Sequence, residues 1–505
     1  MQVRPTGGVG PVGKPEAGAA GRVPREVAER LGILPLAVDD DQLVVGTADP
    51  DNVLALDEVA KHARARIVPV WLSDGEIRAG IEAAYGQPGR KGSGGKASKD
   101  GGEPKGDERR PGRDLAAGLA KTAPAIGAVD EIVRLAASER ASDVHVEAQK
   151  SGVYVRFRVD GIMYDRLKLP LDLHPALVSR LKIISNLDIA ERRLPQDGRF
   201  DRKIGKDEYD VRVSVIPTTA GEKVVLRLLG KTQDIIELEQ LGMDPDCLAI
   251  VKRELERAYG MMLVTGPTGS GKTTTLYAAL SRMDCVSLNV VTIEDPVEYE
   301  FPRVSQIQVH PKIGLDFATA LRHVLRQDPD VLMIGEIRDA ETLNMAIRSG
   351  LTGHMVLSTV HCNDAAATPA RLIDMGGEPF LIASCLTALV AQRLVRCVCA
   401  ACREEFRPSA AVCQTLGISP VSVRACRGTG CETCRGTGYY GRKALFEVVA
   451  VDDSIRDAIT AGQPASAIRA MIRAAGVPSL RDSGIRMASQ GITTFEEVLR
   501  VTQMD

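Results

Sequence analysis

The sequence predicts an α/β protein of several domains built around a largely parallel sheet. Three observations carry that prediction. The chain has 505 residues, more than one hydrophobic core accommodates, so three or four domains are expected. Between residues 241 and 396, short and nearly continuous apolar runs alternate with helical stretches. Examples are Asn289-Val290-Val291-Thr292-Ile293, Val331-Leu332-Met333-Ile334 and His354-Met355-Val356-Leu357-Ser358. Strands buried on both faces by flanking helices read this way. Finally, the apolar run Met261-Met262-Leu263-Val264 leads into Gly266-Pro267-Thr268-Gly269-Ser270-Gly271-Lys272-Thr273-Thr274, a glycine-rich turn that opens a helix.

Taken in order, residues 1–22 are rich in Gly, Pro and Ala and carry no apolar block, so a flexible N-terminus without a signal peptide is expected. Residues 23–86 read as a small module: helix, strand, strand, helix, strand, helix. Its strands are clearest at Gln42-Leu43-Val44-Val45-Gly46 and Ala65-Arg66-Ile67-Val68-Pro69-Val70. Pro69 cannot donate to a ladder, which places the second on an edge. An amphipathic helix is expected over residues 74–85. Residues 87–114 are mostly Gly, Lys, Arg, Ser, Asp and Pro. They hold too little apolar surface to offset ordering entropy and read as a flexible linker.

Residues 115–232 mix helix and strand patterns. Tyr154-Val155-Arg156-Phe157-Arg158-Val159 alternates with period two and meets Asp160-Gly161, a hairpin signature. Val211-Arg212-Val213-Ser214-Val215 and Val224-Val225-Leu226-Arg227-Leu228 form a second strand pair, arginines on one face and apolar residues on the other. Residues 233–396 contain the glycine-rich turn, 397–442 a cysteine-dense element, and 443–505 a helical end with period near 3.6 at residues 465–475 and 495–501.

The glycine-rich turn is a P-loop. Gly266, Gly269 and Gly271 permit positive φ, so successive N–H groups turn onto an anion. The helix start adds partial positive charge. Lys272 reaches the β- and γ-phosphates, and the Thr273 hydroxyl is placed to ligate Mg²⁺. ATP and Mg²⁺ are therefore the expected ligands. Hydrolysis also needs carboxylates to aim water and hold the metal. Glu294 ends one core strand and Glu336, after Gly335, ends another. With Gly335 at the position where such strands usually end in Asp, water-mediated contact of Glu336 with Mg²⁺ is expected. His354 and His361 bracket the last core strand, and an imidazole there is suited to reporting a γ-phosphate.

All eleven cysteines lie at or after Cys247, and seven fall between Cys397 and Cys434. Cys399-x-x-Cys402 and Cys431-x-x-Cys434 are separated by 28 residues. Two such knuckles suit tetrahedral Zn²⁺ in a closed, structural site. Cys397 and Cys426 lie nearby, and Cys426 is an alternative ligand. The glycines of residues 427–438 allow the second knuckle to turn tightly.

Composition argues against a nucleic-acid partner. The net charge is −2, aromatics make up 4% of the chain, and there is one tryptophan, Trp71. No apolar run reaches the roughly 18 residues of a membrane span.

Several motifs in order resemble one family, the type II secretion and type IV pilus assembly ATPases. Residues 141–147 (ASDVHVE), 192–199 (RRLPQDGR) and 221–227 (GEKVVLR) resemble its second N-terminal domain. Residues 293–298 (IEDPVE) resemble its Asp box, 328–339 (DPDVLMIGEIRD) its Walker-B segment, 352–364 (TGHMVLSTVHCND) its His box, and the paired CxxC motifs its zinc element. The resemblance covers all but the first twenty residues and the linker.

It implies a cytoplasmic homo-hexamer, peripheral at the inner membrane. A PAS-like domain precedes a RecA-like ATPase domain, with nucleotide between them. Arg199, Arg212 and Arg227 match positions that approach the nucleotide. Glu294 is implied as general base, Glu336 as the Walker-B carboxylate and His361 as the γ-phosphate sensor. The implied output is assembly of a pilus or pseudopilus through an inner-membrane platform protein. The first module would dock on a membrane-anchored partner with a cytoplasmic domain. Two departures stand out: Cys362 replaces a usual Thr, and the first knuckle, Cys399-Ala400-Ala401-Cys402, lacks the common proline. The first module matches only the later half of the family's first N-terminal domain, so the resemblance does not carry a cyclic-dinucleotide site to it. A RecA-like nucleic-acid translocase and a pilus retraction ATPase are the alternatives. The zinc cysteines and the extra N-terminal module favour an assembly motor over retraction.

Overall fold

The structure is a computed structural model that describes residues 19–39, 42–48, 53–63, 65–72, 77, 80–81, 84–85, 126–230, 236–419 and 425–502. The linker at 87–114 and all but the last four residues of the N-terminal tail lie outside them, as does most of the helix expected over 74–85. The chain forms two compact units, residues 1–124 and 125–505.

In the first unit, β1 (Ile33–Asp39) pairs antiparallel with β2 (Gln42–Thr47), and β2 pairs parallel with β3 (Arg66–Trp71). Pro69 lies on β3, at one end of the order β1-β2-β3, where a missing N–H costs no ladder bond. Helices Arg25–Leu31 and Val53–Ala63 flank the strands in the expected order. Ile33, Leu34, Leu43, Val45 and Val59 form a fully buried core.

The second unit begins with a six-stranded antiparallel sheet. Its strands are β4 (Ala141–Gln149), β5 (Gly152–Val159), β6 (Ile162–Leu169), β7 (Gln196–Ile204), β8 (Asp207–Thr218) and β9 (Gly221–Gly230), in the order β6-β5-β4-β9-β8-β7. The β5–β6 turn has φ of 49° at Asp160 and 87° at Gly161, as a two-residue type I′ hairpin requires. Alternation divides the faces. Val144, Val146, Val155, Phe157, Val211, Val213, Val224 and Leu226 are buried in the core with helices Ile126–Ser138 and His174–Ile184, whereas Arg212 and Arg227 are not buried.

The remaining residues build a seven-stranded sheet. It contains β10 (Gly260–Thr265), β11 (Val290–Glu294), β12 (Val304–Gln308), β13 (Val331–Ile334), β14 (Met355–Val360), β15 (Leu386–Val398) and β18 (Tyr439–Ala450). The order is β12-β11-β13-β14-β10-β15-β18, and every pair is parallel except β15–β18. Successive residues of β10 feed two cores. Met261 and Leu263 pack in the core that holds Leu321 and Ile347, from helices Phe317–Val324 and Ala340–Leu351. Met262 and Val264 pack in the one that holds Val251 and Leu276, from helices Pro245–Leu255 and Lys272–Ser281. Each such burial contributes roughly 1.5–3 kcal/mol before entropy is counted. The two cores explain the unbroken apolar character of the strands.

Between β15 and β18 lies the cysteine-dense element, with the short pair β16 (Arg403–Phe406) and β17 (Ala425–Gly428). The bounds expected for it, 397 and 442, fall within β15 and β18. The sequence reading did not anticipate β18. Its first half, Tyr439 to Lys443, is polar and glycine-bearing, and only the second half reads as a buried strand. Helices Asp453–Thr460, Ala465–Ala474, Leu480–Ser489 and Phe495–Thr502 complete the chain.

Candidate nucleotide and metal sites

The P-loop joins β10 to helix Lys272–Ser281. Its glycines have φ of 154° (Gly266), 77° (Gly269) and 87° (Gly271). Space forbids side chains at two of them. A Cβ on Gly266 would sit 2.5 Å from the Gln392 carbonyl oxygen, and one on Gly271 2.8 Å from Gln392 Nε2. The loop therefore packs closely against β15. No side chain caps the helix at Gly271, and Thr273 and Thr274 are exposed at its start. The Ser270 hydroxyl is buried without a hydrogen-bond partner. Lys272 is 9% exposed, and its Nζ donates to the carbonyls of Gly266 (2.9 Å) and Pro267 (3.1 Å). Burial pushes its ammonium pKa down, Glu336 opposes this, and Arg393 adds to it. Positive-φ glycines at an uncapped helix start, a desolvated ammonium and an orphaned hydroxyl together fit a phosphate chain.

Strand order assembles the rest. β14 lies between β13 and β10, so the segments that follow these three strands share one edge of the sheet. Open α/β sheets bind ligands at that edge. Glu336, after β13, pairs with Arg338 at 2.5 Å and lies 3.4 Å from His361 Nε2, after β14. Lys272, Glu336 and His361 thus converge from segments far apart in sequence. The backbone N–H of Cys362 donates to Thr265 Oγ1 at 3.0 Å, tying the His box to the start of the P-loop. His354 is placed elsewhere: its Nδ1 lies 3.0 Å from the Ser349 carbonyl at a helix end.

Glu294 is 1% exposed. One carboxylate oxygen accepts from Thr292 Oγ1 (2.5 Å) and Gln306 Nε2 (3.1 Å), and the other from the Tyr277 hydroxyl. Burial, then the hydrogen bond to Glu294, pushes the Tyr277 phenol pKa far up, so Tyr277 remains a donor. Tyr277 also accepts from the Glu298 backbone N–H at 3.0 Å. Glu298 is what the sequence reading missed. Its carboxylate lies 3.4–3.5 Å from the Arg212 guanidinium. Burial raises its pKa, while Arg212 and Arg227 both oppose the shift. The sequence cue was a third acid, after Glu294 and Asp295, at the end of the Ile293–Glu298 segment.

The three arginines sit on one rung. Arg199 pairs with Arg212 across β7–β8, Arg212 with Arg227 across β8–β9, and Arg227 with Asp143 across β9–β4. Arg227 Nε donates to Asp143 at 3.0 Å. Like charges directly opposite one another destabilise a sheet by a few tenths to about 1 kcal/mol per pair. Of this row, Arg212 meets Glu298 of the acidic loop.

The four thiols of Cys399, Cys402, Cys431 and Cys434 lie within 4.8 Å of one another. Three Sγ–Sγ distances are 3.8, 3.7 and 3.7 Å. Zn–S bonds of about 2.3 Å in a tetrahedron put sulfurs about 3.8 Å apart, so the donor set fits zinc closely. Burial works against the Cys434 thiolate. N–H groups of Cys431 and Gly438 and the neighbouring thiols outweigh it, bringing that thiol to about 6. Cys397 and Cys426 are outside the cluster. The glycines have a specific task here: a Cβ on Gly428 would lie 2.1 Å from the Gly438 carbonyl oxygen.

Fold and site define a P-loop nucleotide-binding ATPase with an arginine-bearing companion domain and a four-thiolate metal element. Residues 119–500 match the Type II/IV secretion system protein family, and residues 13–91 match the MshEN domain. The chain is 42% identical over 497 residues to the type IV pilus assembly ATPase PilB of Thermus thermophilus. That match covers 97% of this chain, which spans about half (55%) of the relative's length. It is 48% identical over 381 residues to the type II secretion system protein HxcR of Pseudomonas aeruginosa, covering 75% of this chain and 78% of that one. Among solved structures, the Legionella pneumophila ATPase DotB shares the fold at 20% identity, with a TM-score of 0.56 over 75% of this chain and 96% of that one. The chain belongs to the type II secretion and type IV pilus assembly ATPase family, whose members are P-loop ATP hydrolases. No helix among the described residues is long and apolar enough to cross a membrane.

Proposed function

We propose that this chain hydrolyses ATP as a hexameric motor that drives assembly of a pilus or pseudopilus, working through an inner-membrane platform protein. In this reading the six-stranded domain is the PAS-like half of the motor and the seven-stranded domain its RecA-like half. The module at residues 23–86 docks on a membrane-anchored partner, which keeps a cytoplasmic protein at the inner membrane.

The observation that carries the reading is that one chain brings together two groups of residues suited to a nucleotide. Lys272, Glu336 and His361 converge at the P-loop, and the Arg199–Arg212–Arg227 row meets Glu298 of the Asp box. Lys272 leaves the Gly266 and Pro267 carbonyls to hold the β- and γ-phosphates. Thr273 and Glu336 would hold Mg²⁺. When bound, that ion neutralises charge on the phosphate oxygens. His361 senses the γ-phosphate through Glu336. Arg212 and Arg227 exchange Glu298 and Asp143 for phosphate oxygens. The general-base role implied for Glu294 passes to Glu298. Glu294 has both oxygens engaged by three donors, whereas Glu298 lies where the arginines arrive. Cys399, Cys402, Cys431 and Cys434 hold structural Zn²⁺.

Steady-state phosphate release by the full chain with ATP and Mg²⁺ tests this reading. Turnover that depends on Lys272, and that DNA leaves unchanged, supports it. Stimulation by DNA, lost at high salt, would favour the translocase instead.

A further inference from the structure

The four-thiolate element resembles an isolated protrusion in sequence, yet the loop that follows its last cysteine reaches the six-stranded domain. Arg435, next to Cys434, donates from Nη2 to the Ser138 carbonyl at 2.9 Å, and its Nη1 lies 3.3 Å from the buried Glu139 carboxylate. Ser138 is the last residue of helix Ile126–Ser138, so a cation meets the negative end of that helix. Further on, the Tyr440 ring lies 3.7 Å beneath the Arg140 guanidinium. The backbone N–H of Gly441 donates to Asp160 in the β5–β6 turn at 3.1 Å, and Arg442 approaches the same carboxylate at 3.8 Å. A cavity of about 280 Å³ lies among these contacts.

Two features show a built contact. The loop is held in left-handed turns at Arg435 (φ 53°), Gly436 (77°), Gly438 (76°) and Gly441 (79°), a shape with little apolar core behind it. It is also braced from the C-terminus. Arg396, stacked 4.0 Å over the Tyr439 ring, is held by Glu497 at 2.8 Å, and Tyr439 OH lies 2.9 Å from Thr494 Oγ1. Pairing with β15 holds the segment from Tyr439 onward, while the thiolate cluster fixes the loop's entry at Cys434 and the Cys399 N–H, which donates to the Gly438 carbonyl at 2.9 Å.

We infer that the loop of residues 435–438, with the start of β18 through Arg442, is a zinc-dependent latch that docks on the Ser138–Arg140 corner and the β5–β6 turn, setting the angle between the two domains of the same chain. Position makes this consequential. The latch grips the turn that follows β5, whereas the Arg212–Glu298 contact lies on β8, about 14 Å away across three strand spacings. Two anchors at opposite sides of one sheet define its tilt, and one alone leaves it free to rock. Metal occupancy thereby governs how the arginine row is presented, although no thiolate comes near the nucleotide.

Hydrogen exchange on the full-length, zinc-loaded protein without nucleotide tests this, with zinc stoichiometry measured in parallel. Arg435→Ala, on the loop, and Asp160→Ala, on the partner domain, should retain one zinc per chain. Both should raise exchange at residues 138–141 and 160–162 by about tenfold or more, and chelation of zinc from the wild type should do the same. Lys272→Ala should leave that protection intact, which separates failure of the latch from failure of the ATPase reading. Unchanged exchange at both segments in the two zinc-retaining variants, or full protection after chelation, overturns the proposal.

Discussion

The phosphate cradle and the arginine row, which the proposed function sets on two sides of one ligand, are built in opposite ways. The cradle is contiguous. Nine residues, Gly266 to Thr274, carry the turn, the donors and the helix start, and their φ angles follow from glycine placement. The row is dispersed. Arg199, Arg212 and Arg227 come from three strands, and only strand register sets them side by side. A one-residue slip in any strand would turn its arginine to the opposite face. Contiguous sites tolerate neighbouring variation but not loss of the loop. Registered sites depend on the whole sheet holding its alignment.

The largest effect should come from the cradle. Lys272→Ala is expected to bring ATP turnover to background, a loss of at least about 10³-fold, with the thermal melt unchanged. Wild-type turnover in that variant would break the comparison at its first term. Arg227→Ala comes next, lowering kcat by about 10³-fold if the row meets the transferring phosphoryl group. The same rate as wild type would reduce the row to a solvated sheet face. The carboxylates sharpen the contrast further. Glu298→Gln should lower kcat by about 10²-fold or more, as loss of a general base does. Glu294→Gln should act first on stability, because three donors, two of them buried, lose a charged acceptor. A larger kcat loss for Glu294→Gln, with an unchanged melt, would return the base to Glu294.

The smallest effect on turnover, and one with a distinct pH signature, concerns the brace behind the latch. Glu497 is 1% exposed. Burial alone would raise its pKa, but Arg500 and Arg396 bring it from 4.5 to about 2. A folded-state pKa below the unfolded one contributes stability that is fully present above about pH 4.5 and is lost as pH falls toward 2. Glu497→Ala should cost about 3–5 kcal/mol near neutrality. The gap between wild-type and variant melts should close in acid below pH 4.5. A gap that stays constant from pH 7 to 3 would show that packing, and not the charge, holds Arg396.

Legibility followed the same division. The Met261–Val264 run, the P-loop and the two CxxC pairs were readable because each is local: a few consecutive residues force one backbone path or present ligands at fixed spacing. The alternation of β8 and β9 showed that Arg212 and Arg227 share a face. It did not show that Glu298 faces them, because that contact joins residues 86 apart. Glu294 was singled out because it closes a buried strand. Only packing revealed Tyr277, Thr292 and Gln306 around it. β18 went unread because half of it is polar, and its place beside β15 comes from long-range pairing.

By itself, then, the sequence determined the chemistry available: a phosphate-binding loop, four thiolates at zinc spacing, acids at strand ends and arginines on one side of a sheet. Backbone φ preferences and ligand spacing act within a few residues, and no fold is needed to read them. The tertiary structure alone decided which of these groups meet. It placed Glu336 beside His361, Glu298 before the arginine row, and Arg435 against Ser138 and Glu139. The physical reason is that such pairings depend on strand order, register and burial, which are properties of the packed chain as a whole.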